Sequence, residues 1–126
     1  MKIAIVGTGY VGLVTGTCLA ETGNSVICVD IDQEKVSRMR NGEMPIYEPG
    51  LEILFHRNIA QQRLQFTTDL ASAVSQATMI FLALPTPPDE NGAADLSYVL
   101  GASKQIAQLI TEYKVVVTKS TVPVGT

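Results

Sequence analysis

The sequence predicts an α/β fold, a parallel sheet with helices on both faces that is cut off after about the fifth strand. Three observations predict it. Short apolar runs alternate with longer stretches of helical periodicity. The first apolar run breaks into a glycine-rich turn, GTGYVG at Gly7 to Gly12, and the second ends on an acid, Asp30.

Taken in order, Ile3–Val6 is apolar throughout, as suits a strand buried on both faces. Gly7 permits a tight turn out of it. Gly9 has no Cβ, so the main chain can approach a pyrophosphate, and Gly12 lets the next helix, about Tyr10–Thr22, pack closely on the sheet. That helix start presents unpaired N–H groups and a positive dipole end to negative charge. Gly16 extends the small-residue face. Ser25–Val29 reads as the second strand. Asp30 follows Gly12 by 18 residues, close to the roughly 20 expected of an acid that accepts hydrogen bonds from an adenosine ribose. A carboxylate there repels a 2′-phosphate, which points to NAD rather than NADP. The competing use of Asp30 is as a cap for the helix that begins near Asp32.

A second helix over Gln33–Arg40 ends at Asn41 and Gly42. The irregular stretch EMPIYEPG follows, then a helix over Leu51–Gln61 and a third strand at Leu64–Thr67. Thr68 or Asp69 caps a short helix through Ser75, and Met79–Leu84 forms a strongly apolar fourth strand. After the loop PTPPDENG, Asp95 caps a regular helix. Its residues Leu96, Val99, Leu100, Ser103, Ile106, Ala107 and Ile110 share one face, read as core. Val115–Thr118 makes a fifth strand before KSTVPVGT. Strands joined by helices imply right-handed crossovers, a doubly wound sheet, and ligands at the carboxyl ends of the strands.

Composition narrows the function classes. The 126 residues, 46% of them hydrophobic, suit a single core near the low end for a dinucleotide-binding domain. Nine basic residues against twelve acidic ones, with no Lys/Arg run, argue against nucleic acid as a partner. Lys2 and the apolar stretch behind it imitate a signal peptide, but glycines and threonines interrupt that stretch and no run reaches membrane length. A cytoplasmic protein without a membrane partner is expected. Cys18 and Cys28 lack metal-site spacing and are expected to face packing partners as structural thiols, with no metal bound.

Several residues fall at the expected ligand edge. Lys35 can reach a ribose or phosphate, or stand as a solvated helix lysine. Thr86 follows the fourth strand, and Ser120 and Thr121 follow the fifth. Both threonines fit a ligand contact or a turn equally well. His56, the one histidine, lies on an apolar-periodic helix without an acid or nucleophile partner, which makes it a packed or surface residue. Glu43, Glu48, Glu52, Asp89 and Glu90 read as solvated charges.

Across the whole chain, GTGYVG, VDID at Val29 to Asp32, PIYEPGL at Pro45 to Leu51, TPPDENGAADL at Thr86 to Leu96 and KSTVPVGT at Lys119 to Thr126 resemble the nucleotide-sugar dehydrogenases, most closely their UDP-glucose-oxidising members. The resemblance implies that residues 1–126 are an N-terminal, Rossmann-type NAD-binding domain. A central helix and a C-terminal UDP-sugar-binding domain would lie outside this chain. It assigns cofactor contacts to Gly7, Thr8, Gly9, Tyr10, Val11, Gly12, Asp30, Lys35, Thr86 and Thr121. Thr121 also takes a catalytic role, holding the hydrolytic water or the reacting centre.

The implied activity is the oxidation of UDP-glucose to UDP-glucuronate in two steps with two NAD⁺. A cysteine thiolate located beyond Thr126 would form a thioester intermediate, so these 126 residues alone would be inactive. The full-length protein is expected to form a homodimer or higher homo-oligomer. GDP-mannose or a UDP-N-acetylhexosamine are alternative substrates, and a non-catalytic NAD-binding module is an alternative of another class. Pro88 stands where many members have threonine, and Pro85 where glycine or asparagine is frequent, so neither position donates a backbone N–H.

Overall fold

The computed structural model describes all 126 residues. In chain order they form β1 (Lys2–Val6), α1 (Tyr10–Glu21), β2 (Ser25–Val29), α2 (Gln33–Arg40), α3 (Leu51–Ala60), β3 (Leu64–Thr67), α4 (Leu70–Gln76), β4 (Met79–Leu82), α5 (Ser97–Leu109) and β5 (Val115–Thr118).

The five strands make one sheet in the order β3-β2-β1-β4-β5, and every pairing is parallel. Alternation along β1 sends Ile3 and Ile5 to one face and Ala4 and Val6 to the other. The first face is covered by Leu13 and Ala20 of α1, Val36 and Met39 of α2 and Phe55 of α3. The second is covered by Ala73 and Val74 of α4 and Val99 and Ile106 of α5. The predicted doubly wound α/β architecture is therefore present. All five strands run the same way, but the order in which the chain adds them turns at β1, with β2 and β3 on one side and β4 and β5 on the other, so β1 and β4 flank the switch point at the carboxyl edge.

Local chemistry fixes the boundaries. Asp32 caps α2 by accepting the Lys35 N–H at 3.1 Å, and Asp69 caps α4 by accepting the Ser72 N–H at 3.1 Å. Asp30 therefore does not serve as the cap of α2. β4 stops at Leu82, two residues short of the expected end, because the Leu84 N–H turns to the Ser120 hydroxyl at 2.9 Å instead of a neighbouring strand. Asp95 is not the N-cap of α5: Leu96 holds that position, though Asp95 still accepts the Ser97 N–H at 2.9 Å. The expected core stripe of α5 also divides. Val99 and Ile106 are buried, but Leu100 and Ala107, each one residue further round the helix, are exposed.

The two thiols differ as well. Cys28 is buried in the first cluster, and loss of solvation pushes its pKa up to about 12. Cys18 is exposed, so it does not face a packing partner as expected. No helix is long and apolar enough to cross a membrane.

Candidate cofactor site

The glycine turn after β1 is built from two contacts that no side chain could survive. Gly7 has φ +109°, and a Cβ there would fall 2.4 Å from the Ala83 carbonyl oxygen. A Cβ on Gly12 would fall 2.0 Å from the Gly7 carbonyl oxygen. Gly9 is different, since a Cβ there would meet nothing within 4 Å. The protein itself therefore places no steric demand for glycine at this position.

The first α1 ladder bond runs from Leu13 N–H to Gly9 C=O at 3.0 Å, so the amides of Tyr10, Val11 and Gly12 precede the ladder. No side chain caps this helix, and its first turn carries no acid, whereas α2 and α3 carry Glu34 and Glu52 there. A helix start with free amides and no built-in anion suits a pyrophosphate.

Asp30 sits at the end of β2 beside this turn. Thr8, 1% exposed, donates its hydroxyl to Asp30 Oδ2, while Oδ1 accepts the Asp32 N–H at 3.0 Å. Lys35 Nζ lies 3.7 Å from Oδ2. Partial burial works to raise the Asp30 pKa, but the Thr8 hydroxyl, the Asp32 amide and the Lys35 charge outweigh it and hold the carboxyl below its usual range. The group is thus an ionised acceptor, held in orientation and still partly exposed. Lys35 also borders a groove of about 430 Å³, lined by Asp32, Glu34, Arg38, Glu43, Met44 and Pro45.

Past the ends of β4 and β5 the structure brings Thr86 and Thr121 together. Thr86 Oγ1 lies 2.8 Å from both the carbonyl oxygen and the Oγ1 of Thr121. Beneath them, Lys119 N–H and Ser120 N–H both donate to the Leu82 carbonyl, at 2.8 and 2.9 Å. Ser120 Oγ receives the Leu84 amide, which makes Ser120 a tie between the two loops.

Two loop carboxylates read as solvated charges also make contacts that the sequence does not reveal. Glu48, half-buried and still reached by solvent, also accepts a hydrogen bond from the Tyr10 hydroxyl, and this bond raises the phenol's pKa above its usual value. Asp89 is engaged too, accepting the Asn91 and Ala93 amides at 2.8 and 3.0 Å within its own turn. No periodicity or spacing links Tyr10 to Glu48, 38 residues apart. His56 fits its expected place, exposed, with Nε2 2.6 Å from the Gly42 carbonyl.

A glycine turn with free helix amides, an oriented acid after β2 and a strand-order switch point between β1 and β4 define a dinucleotide-binding domain. The family is more particular. All of residues 1–126 match the NAD binding domain of the UDP-glucose/GDP-mannose dehydrogenase family, and the chain belongs to that family. It is 54% identical over 125 residues to the UDP-glucose 6-dehydrogenase TuaD of Bacillus subtilis, an alignment covering 99% of this chain and 27% of the relative. Among solved structures it resembles a GDP-mannose dehydrogenase of Pseudomonas aeruginosa, with TM-score 0.93 and 39% identity over 97% of this chain and 29% of the other. A UDP-glucose dehydrogenase of Pyrobaculum islandicum gives TM-score 0.93 and 38% identity over 98% and 29%. The chain thus spans less than a third of the length of these relatives. NAD is the cofactor of the family.

Proposed function

We propose that residues 1–126 are the NAD-holding portion of a nucleotide-sugar dehydrogenase that oxidises UDP-glucose to UDP-glucuronate, the sugar-binding portion and the nucleophilic cysteine being supplied outside this chain. The observation that carries the reading is the pairing of an uncapped, acid-free helix start at Gly9–Gly12 with an ionised, Thr8-held Asp30. Bound NAD⁺ supplies a hydride acceptor. In this reading the amides of Tyr10, Val11 and Gly12 hold the pyrophosphate, and Asp30 accepts from the adenosine ribose. Lys35 sits at that ribose and fixes the Asp30 carboxylate, and Thr86 and Thr121 stand at the reacting end, with Thr121 the residue that holds the water or reacting centre.

UDP-glucose is preferred to GDP-mannose on sequence and not on fold. The two solved structures superpose equally well, at TM-score 0.93 each, while the UDP-glucose 6-dehydrogenase TuaD of B. subtilis shares 54% of its matched residues with this chain. Two measurements test the proposal. Calorimetric titration of this protein with NAD and NADP should show clear preference for NAD, and equal affinity removes the role of Asp30. Turnover of the enzyme containing this domain on a panel of nucleotide sugars should favour UDP-glucose, and preference for GDP-mannose overturns the substrate assignment.

A further inference from the structure

The segment Glu43–Gly50 connects α2 to α3 without regular structure, yet its burial alternates. Met44, Ile46 and Glu48 are half-buried, while Glu43, Pro45, Tyr47 and Pro49 are exposed. Met44 and Ile46 use the inward phase to pack on the first core cluster. Glu48 occupies the same phase with a carboxylate. There it accepts a hydrogen bond from the Tyr10 hydroxyl. This is the one side-chain hydrogen bond made by residues 43 to 50.

The two ends of the segment meet the two halves of the proposed cofactor cradle. Met44 and Pro45 line the groove beside Lys35, which is paired with Asp30 at the adenosine side. Glu48 is tied to Tyr10, the first residue of α1 and one of the three free amides at the phosphate side. Tyr10 is 54% exposed, so its ring is held by this bond more than by packing.

We propose that residues 43–50 form a strap that fixes the spacing between the adenosine and pyrophosphate halves of the cradle, and that the Tyr10 phenol and the Glu48 carboxylate are positioning residues for NAD. They act through the backbone of the glycine turn and not by touching the cofactor with their side chains. The inference rests on the cofactor reading above. It makes a distinction that general loss of stability does not make: a ligand spanning both halves depends on the strap, while a ligand occupying one half does not.

The test compares NAD with adenosine by ligand-observed NMR titration of the wild-type protein, Tyr10→Phe, Glu48→Gln, Glu48→Ala and the double variant Tyr10→Phe/Glu48→Ala. Tyr10→Phe and Glu48→Ala should each weaken NAD about threefold to tenfold, the equivalent of one hydrogen bond, with adenosine affinity unchanged. The double variant should bind NAD no more weakly than either single one, since both remove the same bond. Glu48→Gln keeps an acceptor and should retain most of the affinity. Failure of the wild-type protein to bind NAD overturns the cofactor reading itself. Wild-type NAD affinity in the variants, additive losses in the double variant, or equal losses for NAD and adenosine each overturn the strap while leaving that reading intact.

Discussion

Thr8 gives its hydroxyl to Asp30, 22 residues further along the chain, and in doing so joins the glycine turn after β1 to the end of β2. Because Thr8 is 1% exposed, this hydroxyl has no competing water. Thr8→Val should therefore raise the Asp30 pKa toward the ordinary carboxylate value. The sign for stability follows. Asp30 is held low in the folded state, so its stabilising contribution is complete above the unfolded carboxylate pKa and is lost as pH falls through the folded one. Melting temperatures measured from neutral pH downward should fall less steeply in the variant than in the wild type. Parallel curves would remove the coupling.

Asp30→Ala tests the same residue as a ligand acceptor. It should weaken NAD by about 1 to 3 kcal/mol if the lost ribose bonds are charge-assisted, and should narrow the gap between NAD and NADP. Calorimetry with both cofactors reads this. An unchanged ratio would mean that selectivity is set elsewhere.

The glycines of the turn divide into two kinds. Gly12→Ala places a Cβ 2.0 Å from the Gly7 carbonyl oxygen, a backbone atom that cannot step aside, and should lower the melting temperature by many degrees or prevent folding. Gly9→Ala meets nothing in the protein and should melt near the wild type, yet lose NAD affinity because the methyl occupies the ligand side. Circular dichroism melts paired with NAD titrations separate the two. If Gly9→Ala binds NAD as the wild type does, the pyrophosphate does not approach there.

Thr17 lies fully buried in α1, and its hydroxyl has no hydrogen-bond partner. An unpaired buried hydroxyl costs about 1 to 3 kcal/mol, and valine keeps the branched shape without it. Thr17→Val should therefore stabilise the protein, by about 1 kcal/mol in urea unfolding. Destabilisation would show that the hydroxyl is satisfied in solution.

Where the sequence was informative, the cause was local. Gly7 and Gly12 act through backbone geometry and Asp30 through a carboxylate at the end of its strand, all at fixed spacing, so residue type and spacing are enough to recognise the turn and the acid. The alternation of apolar runs with helical segments likewise carries the sheet and its two covered faces. Contacts between distant segments left no such trace. Glu48 looks like any loop carboxylate until the fold sets it against Tyr10. The end of β4 depends on Ser120, which diverts the Leu84 amide from 36 residues away. On α5, periodicity shows that Leu100 and Ala107 lie near Val99, but it cannot show how far round the helix its neighbours reach.

Ser120 and Thr121 are bonded to Leu84 and Thr86 across two loops that leave neighbouring strands. A replacement in one loop thus alters what its counterpart can tolerate. Leu84 enters through its backbone amide, which any residue but proline supplies, so the tie rests on the hydroxyls of Ser120, Thr86 and Thr121, and loss of one of them frees both loops at once.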